Sequence, residues 1–303
     1  MDFKNELVKR TYEIEDILKA AAPKEEGYQK TIFEAMNYSL MAGGKRLRPM
    51  LILETYRLFG GSHEAIIHPF MAAIEMIHTY SLIHDDLPAL DNDEYRRGRK
   101  TSHVVFGEAM AILAGDALLN YAYETASKAF DNASDADEFR RVAKAIQILA
   151  SKPGIYGMIG GQVVDVEREG QPLSQSVLDF IHEMKTSALI ECSMMIGAVL
   201  AGVSEEDLNK VECIAKNIGI SFQIQDDILD VTSSLEVLGK QTHSDEKNNK
   251  TTYVTLFGID GAMREAERLS DIAINLLKDI SEGHGLFNPF LEELICQLVH
   301  REK

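Results

Sequence analysis

Tryptophan is absent from this 303-residue chain, cysteine occurs three times, proline seven times and glycine 21 times. Length alone allows one or two domains. With so little proline and glycine, no low-complexity segment and no fixed-period repeat, nothing reads as a linker or a repeat array, and the expectation is one domain over 1–303. The cysteines, Cys192, Cys213 and Cys296, are odd in number and form no Cys-x-x-Cys pair. That argues against a disulfide framework and for free thiols in a reducing compartment. Positive charge is also short, the formal net charge being −17. A general nucleic-acid binder needs clustered basic side chains, and an anionic membrane surface disfavours an acidic chain. Both partner classes are set aside, with two local basic patches, 45–48 and 96–100, as the exceptions. The N-terminal "MDFKNELVKRTYEIEDIL" alternates charges and has no apolar core for a signal peptide. The longest apolar run, "ALIECSMMIGAVLAGV", is broken by Glu191 and falls short of a membrane span. The chain therefore reads as soluble and cytoplasmic, with no stable membrane insertion.

What is present is helical period. Hydrophobic residues make up 45% of the chain, enough for a large core. In "MAAIEMIHTYSLIH" they fall at 71, 74, 77 and 82, as on a mostly buried helix. The pattern recurs through 107–130, 137–150, 176–201, 207–230 and 261–279. "SDAD" at 134–137 and "SEED" at 204–207 fit Ser-x-x-acid capping boxes. There is no sustained alternation and no Asn-Gly hairpin, so no strands are expected. The fold class is all-α, a bundle of ten or more helices. Glycine concentrates in "GIYGMIGG", 154–161, which reads as close helix packing or a kink, or as a backbone irregularity beside a cavity.

Charge is concentrated in "HDDLPALDNDEYRRGR", 84–99. Asp85 and Asp86 end an apolar helix, and Pro88 disfavours helical geometry at Leu87. On an unbroken helix Asp86 and Asp91 would lie roughly 140° apart, at about 100° per residue. A bulged turn instead brings Asp91 back beside Asp85. Carboxylates gathered so suit Mg²⁺, a hard cation that completes its shell with waters and substrate phosphates. A second cluster, Asp226, Asp227 and Asp230, lies in "SFQIQDDILDV", where Asp226 and Asp230 share a helix face. Its neighbours are apolar, so these carboxylates must be paired, protonated or metal-bound. Either cluster alone fits a solvated face or an ion-pair network; two, each on a mostly apolar helix, favour a site. Basic residues complete the picture. "AGGKRLRPM" sets Lys45, Arg46 and Arg48 after a Gly-Gly turn, a pattern that suits a phosphate or a charged helix end. Arg96, Arg97 and Arg99 follow the first carboxylates directly, and Lys240 and Lys250 fall in the polar stretch "GKQTHSDEKNNKTTY".

In "GGKRLRP", "HDDLPALDNDEYRRGR", "GGQVVDVE", "MKTSALI", "FQIQDDILD" and "NNKTTYV", taken in order, the sequence resembles the short-chain trans-prenyl diphosphate synthases, most closely the bacterial farnesyl diphosphate synthases. The resemblance implies helices around a deep central cavity with the two aspartate clusters facing each other at its mouth. It further implies three Mg²⁺ bridging them to an allylic diphosphate. Asp85, Asp91 and Asp226 match its metal ligands, with Asp86 and Asp230 orienting bound water. Arg96, Lys185 and Lys240 match residues that grip the allylic diphosphate, and Lys250 follows in the same polar stretch. Lys45, Arg48, His78 and Arg97 match the isopentenyl diphosphate pocket. Thr186 and Gln223 match oxygens that face the carbocation. Tyr80, five residues before Asp85 and about 7.5 Å back along a helix, matches the floor that limits product length, with Ser81 beside it. His78 and Tyr80 also read simply as core residues.

The implied activity is Mg²⁺-dependent head-to-tail condensation of isopentenyl diphosphate with dimethylallyl and geranyl diphosphate, giving a C15 product from a homodimer. His243 departs from the family's usual glycine, which puts the course of the 240–250 loop, and Lys240 with it, in doubt. Asn92 replaces a common aspartate outside the ligand set. A C20 or longer-chain synthase and a non-catalytic subunit of a heteromeric synthase are the alternatives. A terpene cyclase would need no second diphosphate pocket and would want more aromatics than the 7% here.

Overall fold

The computed structural model describes residues 2–232 and 251–299. The order is α1 (Phe3–Ala21), α2 (Lys30–Leu40), α3 (Leu47–Leu58), α4 (Glu64–Asp85), β1 (Tyr95–Arg96), β2 (Arg99–Lys100), α5 (Ser102–Phe106), α6 (Glu108–Ser127), α7 (Ala129–Asn132) and α8 (Ala136–Ser151). Then come α9 (Met158–Glu167), α10 (Gln175–Ile181), a π-helical turn (His182–Ser187), α11 (Ala188–Ala201), α12 (Glu205–Thr232), α13 (Tyr253–His284) and α14 (Pro289–Val299). The all-α expectation holds.

Helices that are apolar all round take the centre. α11 is buried from Ala188 through Leu200, and α3 and α4 pack beside it. The amphipathic α8 lies outside, burying Val142, Ala145, Ile148 and Leu149. α4 and the stretch Gln175–Ala201 are long and apolar enough to cross a membrane, but 72% and 78% of their apolar windows are buried within the protein. The sequence run judged too short for a span is thus part of a longer helical stretch whose apolar surface is spent on the core. The three cysteines are free. A second apolar cluster, including Ile220, Ile224, Ile228, Tyr253, Ala262 and Leu269, joins α12 to α13 beneath the second aspartate group.

Three local expectations need correction. Residues 95–100 form an antiparallel hairpin pairing Tyr95 with Lys100 and Arg96 with Arg99. Two residues per strand are too few to show alternation, and the turn uses Arg97 (φ +53°) and Gly98 (φ +73°) in place of Asn-Gly. The first capping box is shifted by one. Asp135 caps α8, accepting from the N–H groups of Asp137 and Glu138, while Glu138 accepts from Ser134. The second behaves as expected, Ser204 Oγ accepting from Asp207 N at 3.1 Å. Finally, 176–201 is interrupted by the π-helical turn, an irregularity that periodicity does not reveal and that recurs at functional sites.

Candidate active site

The first carboxylates are arranged by the broken end of α4. Leu87 N donates to His84 O, tightening the last turn, and Leu90 N returns to Leu87 O. Asp91 N then donates to Asp85 O at 2.9 Å, so the chain folds Asp91 back onto Asp85 as the proline predicts. Gln162 Nε2 of α9 donates to Asp85 Oδ1 at 3.1 Å. Burial pushes the Asp85 carboxyl up to about 6; Asp91 and Asp86 raise it while Lys185 and Arg96 pull against them. Asp86 is buried and held by Arg96, whose Nε and Nη2 lie 2.7 and 2.6 Å from the same oxygen. The structure therefore engages Arg96 with a carboxylate, where the sequence resemblance gives it to the allylic diphosphate.

The π-helical turn supplies Lys185 and Thr186. Gly161 of α9 lies against it so closely that a Cβ there would strike Lys185 N and sit 2.8 Å from Met184 Cβ. The glycine-rich stretch thus serves close packing. Lys185 Nζ meets Asp165 Oδ2 at 2.6 Å. Burial works to lower the Lys185 amine, and Asp165, Asp85 and Asp91 together outweigh it and keep it raised. Thr186 Oγ1 donates to Gln223 Oε1 at 3.0 Å. Asp165, Lys185, Thr186 and Gln223, with Asp91 and the second cluster Asp226, Asp227 and Asp230, line one cavity of about 560 Å³, to which Asp85 itself does not contribute. Tyr80 and Ser81 are not among its lining residues. Tyr80 is buried on α4 with its hydroxyl unpartnered among the described residues, and Ser81 Oγ bonds back to His78 O at 2.9 Å. Lys240, His243 and Lys250 lie outside the described residues.

The basic pocket is built on the Gly-Gly turn. Arg97 donates to Gly43 O, and a Cβ on Gly44 (φ +132°) would lie 2.7 Å from the Arg97 guanidinium carbon. Arg48 Nε is buried with no hydrogen-bond partner among the described residues. Burial lowers Arg48 and Arg97; Glu75 pulls both the other way, and neighbouring arginines lower them further, so that both stay below their ordinary value. His78 is driven well below its ordinary value by burial, then by Arg48, Arg97, Arg96 and Arg46. Cations so crowded want an anion. Lys45 is exposed at the same turn.

Arg46 belongs to the fold instead. Its left-handed backbone (φ +49°) sends a fully buried side chain to Glu15 and Glu75, both at 2.7 Å, and to Leu40 O. Arg46→Met strands Glu75, so urea unfolding should show a loss of about 3–5 kcal/mol; an unchanged midpoint would contradict this assignment.

Sequence reasoning gave no role to Gln162, Asp165, Asp179 or Tyr253. The available signal was "GGQVVDVE", which places a glutamine and an aspartate three apart on one helix face. Among the described residues, no three carboxylates, imidazoles or thiols stand close enough to hold an ion alone. The donors around the cavity are carboxylate oxygens from two elements, a set that fits Mg²⁺ held jointly with a diphosphate.

The polyprenyl synthetase family matches residues 29–282. The chain is 44% identical over 268 residues to geranylgeranyl diphosphate synthase of Cyanophora paradoxa, covering 88% of this chain and 87% of that one. It is 45% identical over 267 residues to farnesyl diphosphate synthase of Geobacillus stearothermophilus, covering 88% of each. The solved geranyltransferase of Helicobacter pylori, complexed with magnesium and isoprenyl diphosphate, superposes with a TM-score of 0.82 at 32% identity, covering 99% of this chain and 97% of that one. The relatives' names divide between C15 and C20 products, while fold, motifs and coverage agree that the chain belongs to the polyprenyl synthetase family.

Proposed function

We propose that the protein is a magnesium-dependent farnesyl diphosphate synthase, condensing isopentenyl diphosphate head-to-tail with dimethylallyl and then geranyl diphosphate. The supporting observation is the pairing of two anion-accepting regions of different make. Carboxylates from two elements surround Lys185 at the cavity, whereas Arg48, His78 and Arg97 form a cluster richer in arginine than in carboxylate, with Arg46, Arg96 and Glu75 around it, and Arg97 lines a small pocket with Arg96 and Asp86.

In this reading Asp85, Asp91 and Asp226 hold magnesium, with Asp86 and Asp230 behind them. The metal, when bound, supplies Lewis-acid neutralisation of charge on the departing diphosphate. Lys185 donates to the same oxygens, preorganised by Asp165. Lys240 is assigned to the allylic diphosphate by resemblance, as is Arg96, and Lys250 is taken as a further substrate-binding cation. Lys45, Arg48 and Arg97 hold the isopentenyl diphosphate, and His78, kept neutral by burial, contributes a hydrogen bond rather than a charge. Thr186 and Gln223 turn oxygen dipoles toward the allylic cation. The isopentenyl double bond attacks it, and the proton leaves with the released diphosphate, so no carboxylate is required as base. The working unit is a homodimer in the cytoplasm, a reading consistent with exposed Val105, Ile112 and Leu113 on α5 and α6 and with the free thiols.

Purified protein incubated with dimethylallyl diphosphate, labelled isopentenyl diphosphate and Mg²⁺ should yield a C15 alcohol after dephosphorylation. A C20 product would keep the chemistry and discard Tyr80 as the limit. No Mg²⁺-dependent product from folded protein would favour a non-catalytic subunit.

A further inference from the structure

A closed ring of contacts runs along the cavity wall, joining Thr186 and Gln223 to three residues, Asp227, Tyr253 and His182, that have no part in the chemistry above. It begins in the π-helical turn, where Thr186 Oγ1 donates to Gln223 Oε1 at 3.0 Å. Gln223 Nε2 donates to Asp227 Oδ1 at 3.5 Å, and the backbone N–H of Tyr253 donates to the other oxygen, Oδ2, at 3.0 Å. The Tyr253 hydroxyl donates to Asp179 Oδ1 on α10. Its ring stacks on His182, with centroids 5.5 Å apart and planes 27° apart, and His182 opens the turn that carries Thr186. Tyr253 is 2% exposed. Tyr253 therefore ties the start of α13 to α10 and the π-helical turn through its side chain, and to α12 through its backbone N–H.

We propose that Tyr253 is a positioning residue for the condensation, acting through Asp227 and Gln223 to aim oxygen rather than N–H at the reacting carbon. A glutamine amide fills the same volume in two orientations, 180° apart, and hydrogen bonding alone chooses between them. Here the carbonyl must accept from Thr186 while the amino group reaches Asp227. Asp227 in turn is oriented because its second oxygen is engaged by the Tyr253 N–H. The phenol link to Asp179 and the stack on His182 hold Tyr253 in place. His182 is neutral, burial pushing it down to about 4, so the stack does not depend on an imidazolium charge. A reversed amide would present N–H to a developing cation and slow ionisation. The diphosphates are gripped by other residues, so their binding is untouched.

The inference rests on the prenyltransferase reading and is tested with Tyr253→Phe, Asp179→Leu, their combination and Asp179→Asn. Tyr253→Phe should lower kcat roughly tenfold, the scale for groups that orient a ligand from behind, with both KM values unchanged. Asp179→Leu should match it, the double variant should lose no more, and Asp179→Asn, which keeps an acceptor, should recover most of the rate. Unchanged kcat, additive losses or a loss confined to KM would overturn the proposal while leaving the prenyltransferase reading intact. Inactive wild-type protein would sink that reading instead. The ring is then judged from the side-chain amide NMR signals of Gln223, identified by their absence in Gln223→Asn. They should be a sharp pair in wild type and broadened in Tyr253→Phe; identical spectra would overturn the proposal.

Discussion

Replacing Asp85 by asparagine should lower kcat by roughly 10³-fold, the upper scale for losing one preorganised group that supports developing charge. The variant should also remove a pH dependence that the wild-type protein carries. Burial, Asp91 and Asp86 hold the Asp85 carboxyl at about 6 against Lys185 and Arg96. A carboxyl must lose its proton before it can ligate a metal. The Mg²⁺ concentration for half-maximal rate should therefore climb by up to about tenfold per pH unit below 6, and stay level above it. The same raised value has a consequence for stability. The folded state holds this proton more tightly than the unfolded chain does, so metal-free stability falls as pH rises from about 4 through 6. A carboxamide cannot ionise, so with a chelator present the Asp85→Asn protein should unfold at a higher temperature than wild type at pH 7–8. Rates measured over a grid of Mg²⁺ and pH, with thermal unfolding alongside, test both parts. A loss below tenfold, or a pH dependence that persists in the variant, would remove Asp85 from the metal ligands.

Much of this site was legible because a few residues constrain the backbone directly. Pro88 forces the end of α4 to break, and that break is what returns Asp91 to Asp85. The apolar period around Asp226 and Asp230 fixes their helix, and the carboxylates follow onto the cavity. What stayed hidden depends on side-chain direction. Arg46 and Arg48 are two residues apart in one basic motif, yet the left-handed backbone at Arg46 turns it inward to Glu15 and Glu75, while Arg48 joins the cation-rich pocket. Arg96 is a cation beside acids in the sequence, and only the fold shows that Asp86 engages it. The π-helical turn adds one residue to a helical repeat inside a run apolar enough to mask it. Tyr253 reads as an ordinary helix-start aromatic until its three partners, 26, 71 and 74 residues away, are in place.

Tyr80→Ala should shift the product from C15 to C20 and longer. Tyr80 sits a turn and a half before Asp85, buried on α4, with its ring edge-on to His84 at 5.8 Å and 77°. Burial holds its phenol at about 12, and the hydroxyl has no hydrogen-bond partner among the described residues. A core tyrosine kept for its hydroxyl would have found one. The ring, not the oxygen, is then the working part, and Tyr80→Phe separates the two. It should keep the C15 product and unfold no earlier than wild type, since an unpaired buried hydroxyl costs about 1–3 kcal/mol. Tyr80→Ala removes the ring and should cost about 3–5 kcal/mol, as for other buried aromatics cut to alanine. The space it opens lies on the helix that ends at Asp85, which is where the proposed reading puts the end of the growing tail. A C20 tail entering that space restores apolar contact, so geranylgeranyl diphosphate should raise the unfolding temperature of Tyr80→Ala more than that of wild type. Longer products with this selective stabilisation would establish Tyr80 as the floor. An unchanged C15 product from the folded alanine variant would show that the chain is stopped elsewhere and that Tyr80 is a packing residue of α4.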